Sequence, residues 1–217
     1  MHLRTILPMF CTVALAAAET RTLPLDGLKL INLKSEAATY KGRQAIRLTE
    51  ANSATAETLA LLPTTNFRDG TIEVDVAGEP GPRAAAGARG FVGMAFRAAP
   101  DGAKYECFYL RPTNGRADDQ LRRNHSVQYI SFPDFPWERL RKETPGQYES
   151  YADLVPVEWT KMKIEVRGTR AKLYVNAAPQ PVLLVNDLKL GERNGAIGLW
   201  IGRGTIAHFA NLRVTLD

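Results

Sequence analysis

The stretch WTKMKIEVRGTRAKLYVN, from Trp159 to Asn176, decides the fold class of this chain. Met162, Ile164 and Val166 alternate with polar residues before a turn that contains Gly168, and the alternation resumes after the turn. Apolar alternation with a period of two on both sides of a glycine-containing turn predicts an antiparallel β-hairpin.

A second stretch near the end of the chain, GAIGLWIGRGTIAHFANLRV from Gly195 to Val214, has the same organisation. Its pattern predicts a second hairpin, in which Ile197, Leu199 and Ile201 point into the core. Trp200 falls between the last two of these residues, so we expect its side chain to point away from the core.

The rest of the chain contains short segments in which apolar and polar residues alternate, and almost no segment has the apolar period of 3.6 residues that is typical of a helix. Further strands are predicted at Gln44–Leu48, Thr71–Val76, Phe91–Arg97, Tyr105–Arg111, Ser126–Phe132, Pro181–Val185 and Leu212–Leu216. A glycine- and alanine-rich loop is predicted at 78–90, and a single helical turn at 137–142 within a long connection from 133 to 156. This pattern predicts an all-β fold, a two-sheet antiparallel β-sandwich.

The N-terminal segment reads as an export signal and not as part of the fold. Arg4 provides a positive charge, Ile6 to Leu15 is apolar but short, and three alanines precede Glu19. We therefore expect a signal peptide at residues 1–18 and one exported domain at 19–217. The mature chain is predicted to be periplasmic or extracellular, with no membrane anchor after cleavage.

The charge distribution limits the classes of binding partner, and the cysteine content limits the possible disulfides. The chain has 28 Lys and Arg and 23 Asp and Glu, and removal of Arg4 leaves 27 − 23 = +4. Because the two signs are interleaved, we expect no nucleic-acid partner. After cleavage Cys107 is the only cysteine, so no intrachain disulfide is expected.

Several segments together resemble a known superfamily. They are FRDGTIEVDV, GFVGMAFR, YECFYLRP and the two closing stretches, and they span about Phe67 to Leu216. The chain is similar to the concanavalin A-like lectin/glucanase superfamily, and within it to laminin-G-like jelly rolls and the 3-keto-disaccharide hydrolase family. The resemblance implies a jelly roll that holds ligands, often saccharides, on the concave face of one sheet or at its rim. It does not imply a particular activity.

Five residues alternate with core-facing residues on the middle strands and are predicted to line the outer face of one sheet. They are Arg97, Tyr105, Tyr109, Arg111 and Trp200. Aromatic rings offer flat surfaces for sugar C–H groups, and arginine donates forked hydrogen bonds to hydroxyls or carboxylates. The alternative is a solvated face whose residues are chosen for strand propensity and cross-strand pairing.

A polar segment, NGRADDQLRRNHSVQY from Asn114 to Tyr129, supplies further candidate contacts. Asn124, His125 and Gln128 both donate and accept hydrogen bonds, which suits saccharide hydroxyls or an acidic sugar. Trp137, on the long connection, is a further candidate for stacking. The alternative is a solvated basic turn with an incidental histidine.

The catalytic residues, if any exist, are unknown from the sequence. Glu106, His125 and Glu149 are weak candidates for acid or base roles. Glu106 shares a strand face with Phe108 and Leu110, so we expect it to be partly buried. No metal-ligand cluster or cofactor motif is present in the sequence, and we predict no metal site and no cofactor.

One acidic run resembles the Glu-x-Asp-x-x-Glu motif of glucanases in this superfamily but departs from it. Glu73 and Asp75 match, whereas Glu79 falls one position late. The odd offset turns Glu79 toward the other face of the strand. We interpret Glu73 and Asp75 as the solvent face of a back-sheet strand.

Three functions remain open from the sequence. The first is an exported domain that binds a saccharide on its concave face. The second is a glycoside hydrolase-like enzyme that acts on a disaccharide or modified glycoside. The third is a protein-interaction module that binds no sugar.

Overall fold

The computed structural model describes residues 20–51 and 58–217. The segment predicted to be a signal peptide, 1–18, lies outside these residues, so export stays a prediction. Within the described residues, no helix has the length and apolar character needed to cross a membrane.

Strands dominate the described part of the chain. The strands are β1 (Thr20–Thr22), β2 (Lys29–Ile31), β3 (Leu33–Tyr40), β4 (Arg43–Glu50), β5 (Leu59–Phe67), β6 (Gly70–Pro80), β7 (Val92–Ala98), β8 (Tyr105–Leu110), β9 (Val127–Phe132), β10 (Glu149–Ser150), β11 (Thr160–Arg167), β12 (Arg170–Val175), β13 (Leu183–Val185), β14 (Gly195–Ile201) and β15 (Thr205–Leu216). The helices are a 3₁₀ turn (Pro112–Asn114), α1 (Gln120–Asn124) and α2 (Trp137–Glu143).

Over the described residues these strands form two antiparallel sheets. The eight-stranded sheet has the order β13-β12-β11-β6-β15-β4-β3, with β1 also beside β15. The seven-stranded sheet has the order β10-β9-β8-β7-β14-β5-β2. The predicted all-β, two-sheet antiparallel sandwich is confirmed.

The core lies between the two sheets and follows the predicted alternation. Ile72 and Ile164 face inward from the eight-stranded sheet, and Met94, Phe108 and Leu199 face inward from the seven-stranded sheet. All five are fully buried. Because burying such a side chain contributes about 1.5–3 kcal/mol, these two inner faces supply most of the driving force for folding.

The first predicted hairpin is confirmed. β11 pairs with β12 in the expected register, with Ile164 opposite Leu173, and Gly168 takes a φ of 55° in the turn. Glycine adopts this left-handed conformation without steric cost.

The second predicted hairpin is wrong. β14 belongs to the seven-stranded sheet and β15 to the eight-stranded sheet, so the segment Gly202–Gly204 carries the chain from one sheet to the other. Alternation determines which face of a strand is apolar but not which strand lies beside it. The strands that pair with β15 come from much earlier in the chain.

Two long strands, β3 and β5, have no counterpart among the predictions. β5 carries the run LALL without alternation because most of it is buried on both faces between β14 and β2. β6 is longer than predicted and includes Gly78 and Glu79. The predicted helical turn is confirmed as α2.

The acids of the glucanase-like run lie on the eight-stranded sheet. Asp75 is buried, and its Oδ2 accepts hydrogen bonds from Arg43 Nη1 at 2.6 Å and Asn211 Nδ2 at 2.7 Å. The prediction that Asp75 faces solvent is therefore wrong, because neighbouring strands cover its carboxylate. Glu73 is half-buried near Lys161.

Candidate functional site

A row of directly opposed residues crosses the outer face of the seven-stranded sheet. Trp200 lies opposite Gly93, Gly93 opposite Tyr109, and Tyr109 opposite Gln128. A Cβ atom on Gly93 would lie 2.2 Å from the Phe108 carbonyl oxygen and 2.6 Å from Tyr109 Cβ. The glycine leaves space in which the rings of Tyr109 and Trp200 meet, with centroids 4.7 Å apart.

Two further aromatic side chains form walls above this row. Phe91 packs over Gly202, where a Cβ would lie 2.6 Å from Phe91 Cβ, and its ring meets Tyr109 edge-on at 6.0 Å. Trp137 opens α2 and is 37% exposed. Phe91, Tyr109, Trp137 and Trp200 line a depression of about 460 Å³, here called the aromatic groove.

The predicted direction of Trp200 is confirmed, because it lies on the outer face of its sheet. The side chain is only 8% exposed and forms part of the groove floor. Its Nε1 donates to the Tyr105 hydroxyl at 3.2 Å, and Tyr105 stacks on Phe132 at 5.1 Å. Tyr105 is fully buried and is not among the residues that line the groove, so it holds Trp200 in place and does not contact a ligand there.

Arg111 lies at the end of the same sheet face and is held in one position. Its Nη2 donates to the Tyr109 hydroxyl at 2.8 Å and to Gln128 Oε1 at 3.1 Å, and its Nη1 donates to the His125 carbonyl at 2.9 Å. Gln128 is buried, and its amide donates to the carbonyls of Tyr129 and Tyr148. Gln128 is thus a positioning partner of Arg111, with its polar atoms already used.

A second depression of about 250 Å³ adjoins the aromatic groove and shares Phe91 and Trp137 with it. We call it the arginine pocket. It is lined by Arg89, Arg111, Arg122, Arg141, His125 and Asn114, together with Gly87 and the two shared rings. No carboxylate is among these lining residues.

His125, which lines this pocket, lies beside the buried Glu149, which is not among the lining residues. His125 Nε2 is 3.2 Å from Glu149 Oε1, and Arg141 Nη2 donates to Glu149 Oε2 at 2.6 Å. Burial lowers the pKa of His125, Glu149 opposes that shift, and the positive charges of Arg141 and Arg111 add to it. His125 is therefore mainly neutral at pH 7.

Glu106 lies on the other side of the sheet, between the two layers. Its Oε2 accepts from the Tyr129 hydroxyl at 2.6 Å, and its Oε1 accepts from the Leu190 backbone N–H at 2.8 Å. Burial raises the pKa of Glu106, against the opposing effect of these hydrogen bonds. Of the three weak catalytic candidates, only His125 and Glu149 are brought together.

The outer-face position predicted for Arg97 is wrong. Ala196 lies opposite Ala98, and Gly198 opposite Ala95, so two residues of β7 oppose one of β14. This β-bulge gives Arg97 a φ of 51° and breaks the alternation. The side chain is 0% exposed and donates to the carbonyls of residues 68, 168 and 191 and to the carboxylate of residue 69.

Asn124 is not brought to either depression. It is exposed at the end of α1, and its Oδ1 accepts from Gln120 Nε2 at 2.7 Å. The prediction of Asn124 as a ligand contact therefore has no geometric support.

Phe91, Arg89 and Arg141 line the site but were not among the predicted residues. Phe91 begins the run FVGMAFR, and alternation with its apolar neighbours already places it on the outer face. Arg141 follows Trp137 by four residues in a helix, so the two share a face. Arg89 comes from an irregular loop, for which the sequence contains no positional signal.

A larger depression of about 710 Å³ lies elsewhere, between residues 22–28 and the strands β3, β4 and β15. No aromatic side chain lines it. Among residues 20–51 and 58–217, no group of three or more His, Cys, Asp and Glu side chains is placed to hold a metal ion.

Comparisons with known proteins give the fold. No model of a known protein family matches the chain, and no curated protein matches it. The carbohydrate binding module CBM66 from Bacillus subtilis is 16% identical, with a TM-score of 0.59 over 86% of this chain and 94% of that one. A prokaryotic β-1,3-1,4-glucanase (lichenase) from a mouse hindgut metagenome is 10% identical, with a TM-score of 0.51 over 93% and 99%.

A protein of unknown function with a galectin-like fold from Bacillus subtilis is 13% identical, with a TM-score of 0.52 over 84% and 87%. This chain therefore has the concanavalin A-like jelly-roll fold of lectins and glucanases. The narrower resemblance to 3-keto-disaccharide hydrolases stays a prediction.

Proposed function

We propose that this protein is an exported saccharide-binding domain that holds a sugar in the aromatic groove. The observation that carries the proposal is the meeting of four aromatic side chains, Phe91, Tyr109, Trp137 and Trp200, around one depression on an outer sheet face. Sugar rings present C–H faces that pack on aromatic rings. The volume of about 460 Å³ lies in the range of small-molecule sites.

Within the groove, Trp137 is the main contact surface. It is the most exposed of the four rings and forms one wall, whereas Tyr109 and Trp200 are largely covered and form the floor. Phe132 and Arg203 also line the groove, and Arg203 provides donors for sugar hydroxyls.

The proteins of similar fold are consistent with this proposal, but a shared fold does not assign a function to this chain. One of them is described as a carbohydrate binding module and another as a lichenase. Since this fold hosts many functions, the support for a sugar ligand comes mainly from the groove itself.

A binding role is favoured over glycoside hydrolysis by the placement of the carboxylates. Hydrolysis usually requires two carboxyl groups that flank the glycosidic bond. Among the described residues that line the aromatic groove, Glu138 is the only acid. Glu106 lies between the sheets, and Glu149 is bound by Arg141.

A saccharide panel read by tryptophan fluorescence tests the proposal. The chain has three tryptophans, and Trp159 is outside the groove, directly before β11 of the eight-stranded sheet, where its Nε1 donates to the Tyr40 carbonyl. The variant Trp159→Phe therefore leaves only the two groove tryptophans to report. We expect a subset of saccharides to change its emission, and Trp137→Ala in that background to weaken binding about tenfold.

Product analysis on each bound saccharide separates binding from turnover. The proposal requires binding without release of new reducing ends. It would be overturned by silence across the panel, by binding that Trp137→Ala leaves unchanged, or by turnover that exceeds the uncatalysed rate. Capture of a protein partner with no saccharide response would instead support the interaction-module alternative.

A further inference from the structure

The arginine pocket carries more positive charge than the surrounding chain neutralises. Arg141 is paired with Glu149. In the part of the chain that the structure describes, no carboxylate lies within 4.0 Å of Arg89, Arg111 or Arg122. The other buried arginine of the described chain, Arg97, is paired with Asp69, as expected because an unpaired buried charge is costly.

Arg111 is fixed before any ligand arrives. Arg111 is 5% exposed, and its three hydrogen bonds within the described chain go to neutral acceptors, the Tyr109 hydroxyl, the Gln128 amide and a backbone carbonyl. The ring of Tyr109 lies 5.0 Å from its Cζ and that of Trp137 lies 5.8 Å away. A positive charge held this rigidly costs little further ordering when it meets an anion.

Two other polar groups at the pocket lack hydrogen-bond partners among residues 20–51 and 58–217. Asn114 is buried, its Nδ2 donates to the His125 carbonyl, and its Oδ1 has no hydrogen-bond partner. Arg122 Nε is likewise buried without an acceptor. Since buried polar atoms are normally satisfied, Asn114 Oδ1 is free to accept from a ligand hydroxyl, and Arg122 Nε is free to donate to a ligand oxygen.

We propose that the arginine pocket binds the anionic substituent, a carboxylate or a sulfate ester, of an acidic saccharide whose ring lies in the aromatic groove. The sugar part of this inference rests on the proposed function, whereas the anion part rests on the pocket alone.

The two depressions are adjacent, so one ligand can occupy both of them. Phe91 and Trp137 line both depressions, so a sugar packed on Trp137 can extend a substituent from the aromatic groove into the arginine pocket. Arginine is suited to the acidic end because its planar fork matches a carboxylate or sulfate with two parallel hydrogen bonds. Arg89 and Arg122 also line the pocket, have no carboxylate partner among the described residues, and supply further donors there.

The test compares matched ligands and matched variants. The ligands are tetragalacturonate, its full methyl ester and a chondroitin sulfate tetrasaccharide, measured by calorimetry on the full mature chain at constant ionic strength. The methyl ester removes the charge but keeps the sugar rings. The variant is Arg122→Gln, and the control is Arg116→Gln, which removes the same charge from an exposed residue paired with Asp153 outside the pocket.

We expect at least one acidic ligand to bind about tenfold more tightly than the methyl ester, and Arg122→Gln to remove that preference. Arg116→Gln should keep it. Preference for the galacturonate over its methyl ester shows that a carboxylate is sufficient. Chondroitin sulfate carries carboxylates as well as sulfate esters, so its desulfated form is measured beside it to show whether the pocket selects sulfate.

The two proposals fail differently. If the methyl ester binds as tightly as the acid, or if Arg116→Gln acts like Arg122→Gln, the anion inference is overturned while saccharide binding stands. If no saccharide binds but inorganic sulfate raises the melting temperature of the native chain and not of Arg122→Gln, the pocket binds anions and the saccharide part of the inference falls.

Discussion

Tyr109 and Trp200 meet on the outer face of the seven-stranded sheet although their strands are not neighbours. β7 lies between β8 and β14, and the residue of β7 that separates the two rings is Gly93. The ring centroids are 4.7 Å apart. This contact joins the floor of the aromatic groove to Arg111, because the Tyr109 hydroxyl accepts a hydrogen bond from that guanidinium.

The first prediction concerns the glycine that allows this contact. Gly93→Ala should lower the free energy of unfolding by about 1–3 kcal/mol, because the new Cβ has no space against backbone atoms. It should also displace Tyr109 and weaken any groove ligand. Chemical denaturation measures the loss, and Gly87→Ala is the control because a Cβ there meets nothing within 4 Å. Equal stability of the two variants would contradict the explanation.

The second prediction concerns Arg97, which joins loops from both sheets. Arg97→Met should lower the free energy of unfolding by about 3–5 kcal/mol, because three backbone carbonyls and the Asp69 carboxylate lose their buried donor. Arg170→Met, at an exposed position, should change it by no more than about 0.5 kcal/mol. The prediction is wrong if Arg97→Met unfolds at the denaturant midpoint of the native chain.

The third prediction concerns the buried acid Glu106. Its pKa is raised in the folded protein, so the folded state holds this proton more tightly than the unfolded chain does. The stability that this proton contributes is complete below the unfolded pKa and is lost as the pH rises through the folded pKa. Glu106→Gln keeps a neutral side chain at every pH.

We therefore expect the variant to become more stable relative to the native chain as the pH rises from 4.5, the ordinary value for the group, toward neutrality. Urea unfolding across this range measures the difference between the two proteins. A difference that is independent of pH would show that the Glu106 pKa is not shifted.

The fourth prediction concerns His125 and the anion in the arginine pocket. His125 faces Glu149, Arg141 and Arg111, and its pKa is lowered from 6.5 mainly by burial. A bound anion favours the charged imidazolium and raises that pKa, so binding takes up a proton. Affinity for tetragalacturonate should then increase as the pH falls below 6.5, while the ligand carboxylates are still ionised.

His125→Gln should flatten this pH profile, whereas the profile for the methyl ester should be flat in both proteins. Calorimetry in buffers of different ionisation enthalpy measures the proton uptake directly. A profile that His125→Gln leaves unchanged would assign the proton to another group.

The sequence predicted the sandwich and much of the groove because both depend on which way side chains point. Tyr109, Arg111 and Trp200 were placed on an outer face by alternation, and they lie there. Arg97 was placed there by the same argument and is buried, because a one-residue bulge reversed its direction. A bulge depends on the partner strand, which the local pattern does not contain.

Alternation was enough to predict the fold class and most of the inner and outer strand faces, since a two-residue period is a property of each strand alone. Which strands are neighbours is visible only in the folded molecule. The fold separates β14 from β15 into different sheets, brings Trp200 beside Tyr109 across Gly93, and gathers Arg89, Arg111 and Arg122 around one pocket. Strand neighbours depend on the packing of segments that are far apart in the chain. This long-range packing brings the residues of the site together.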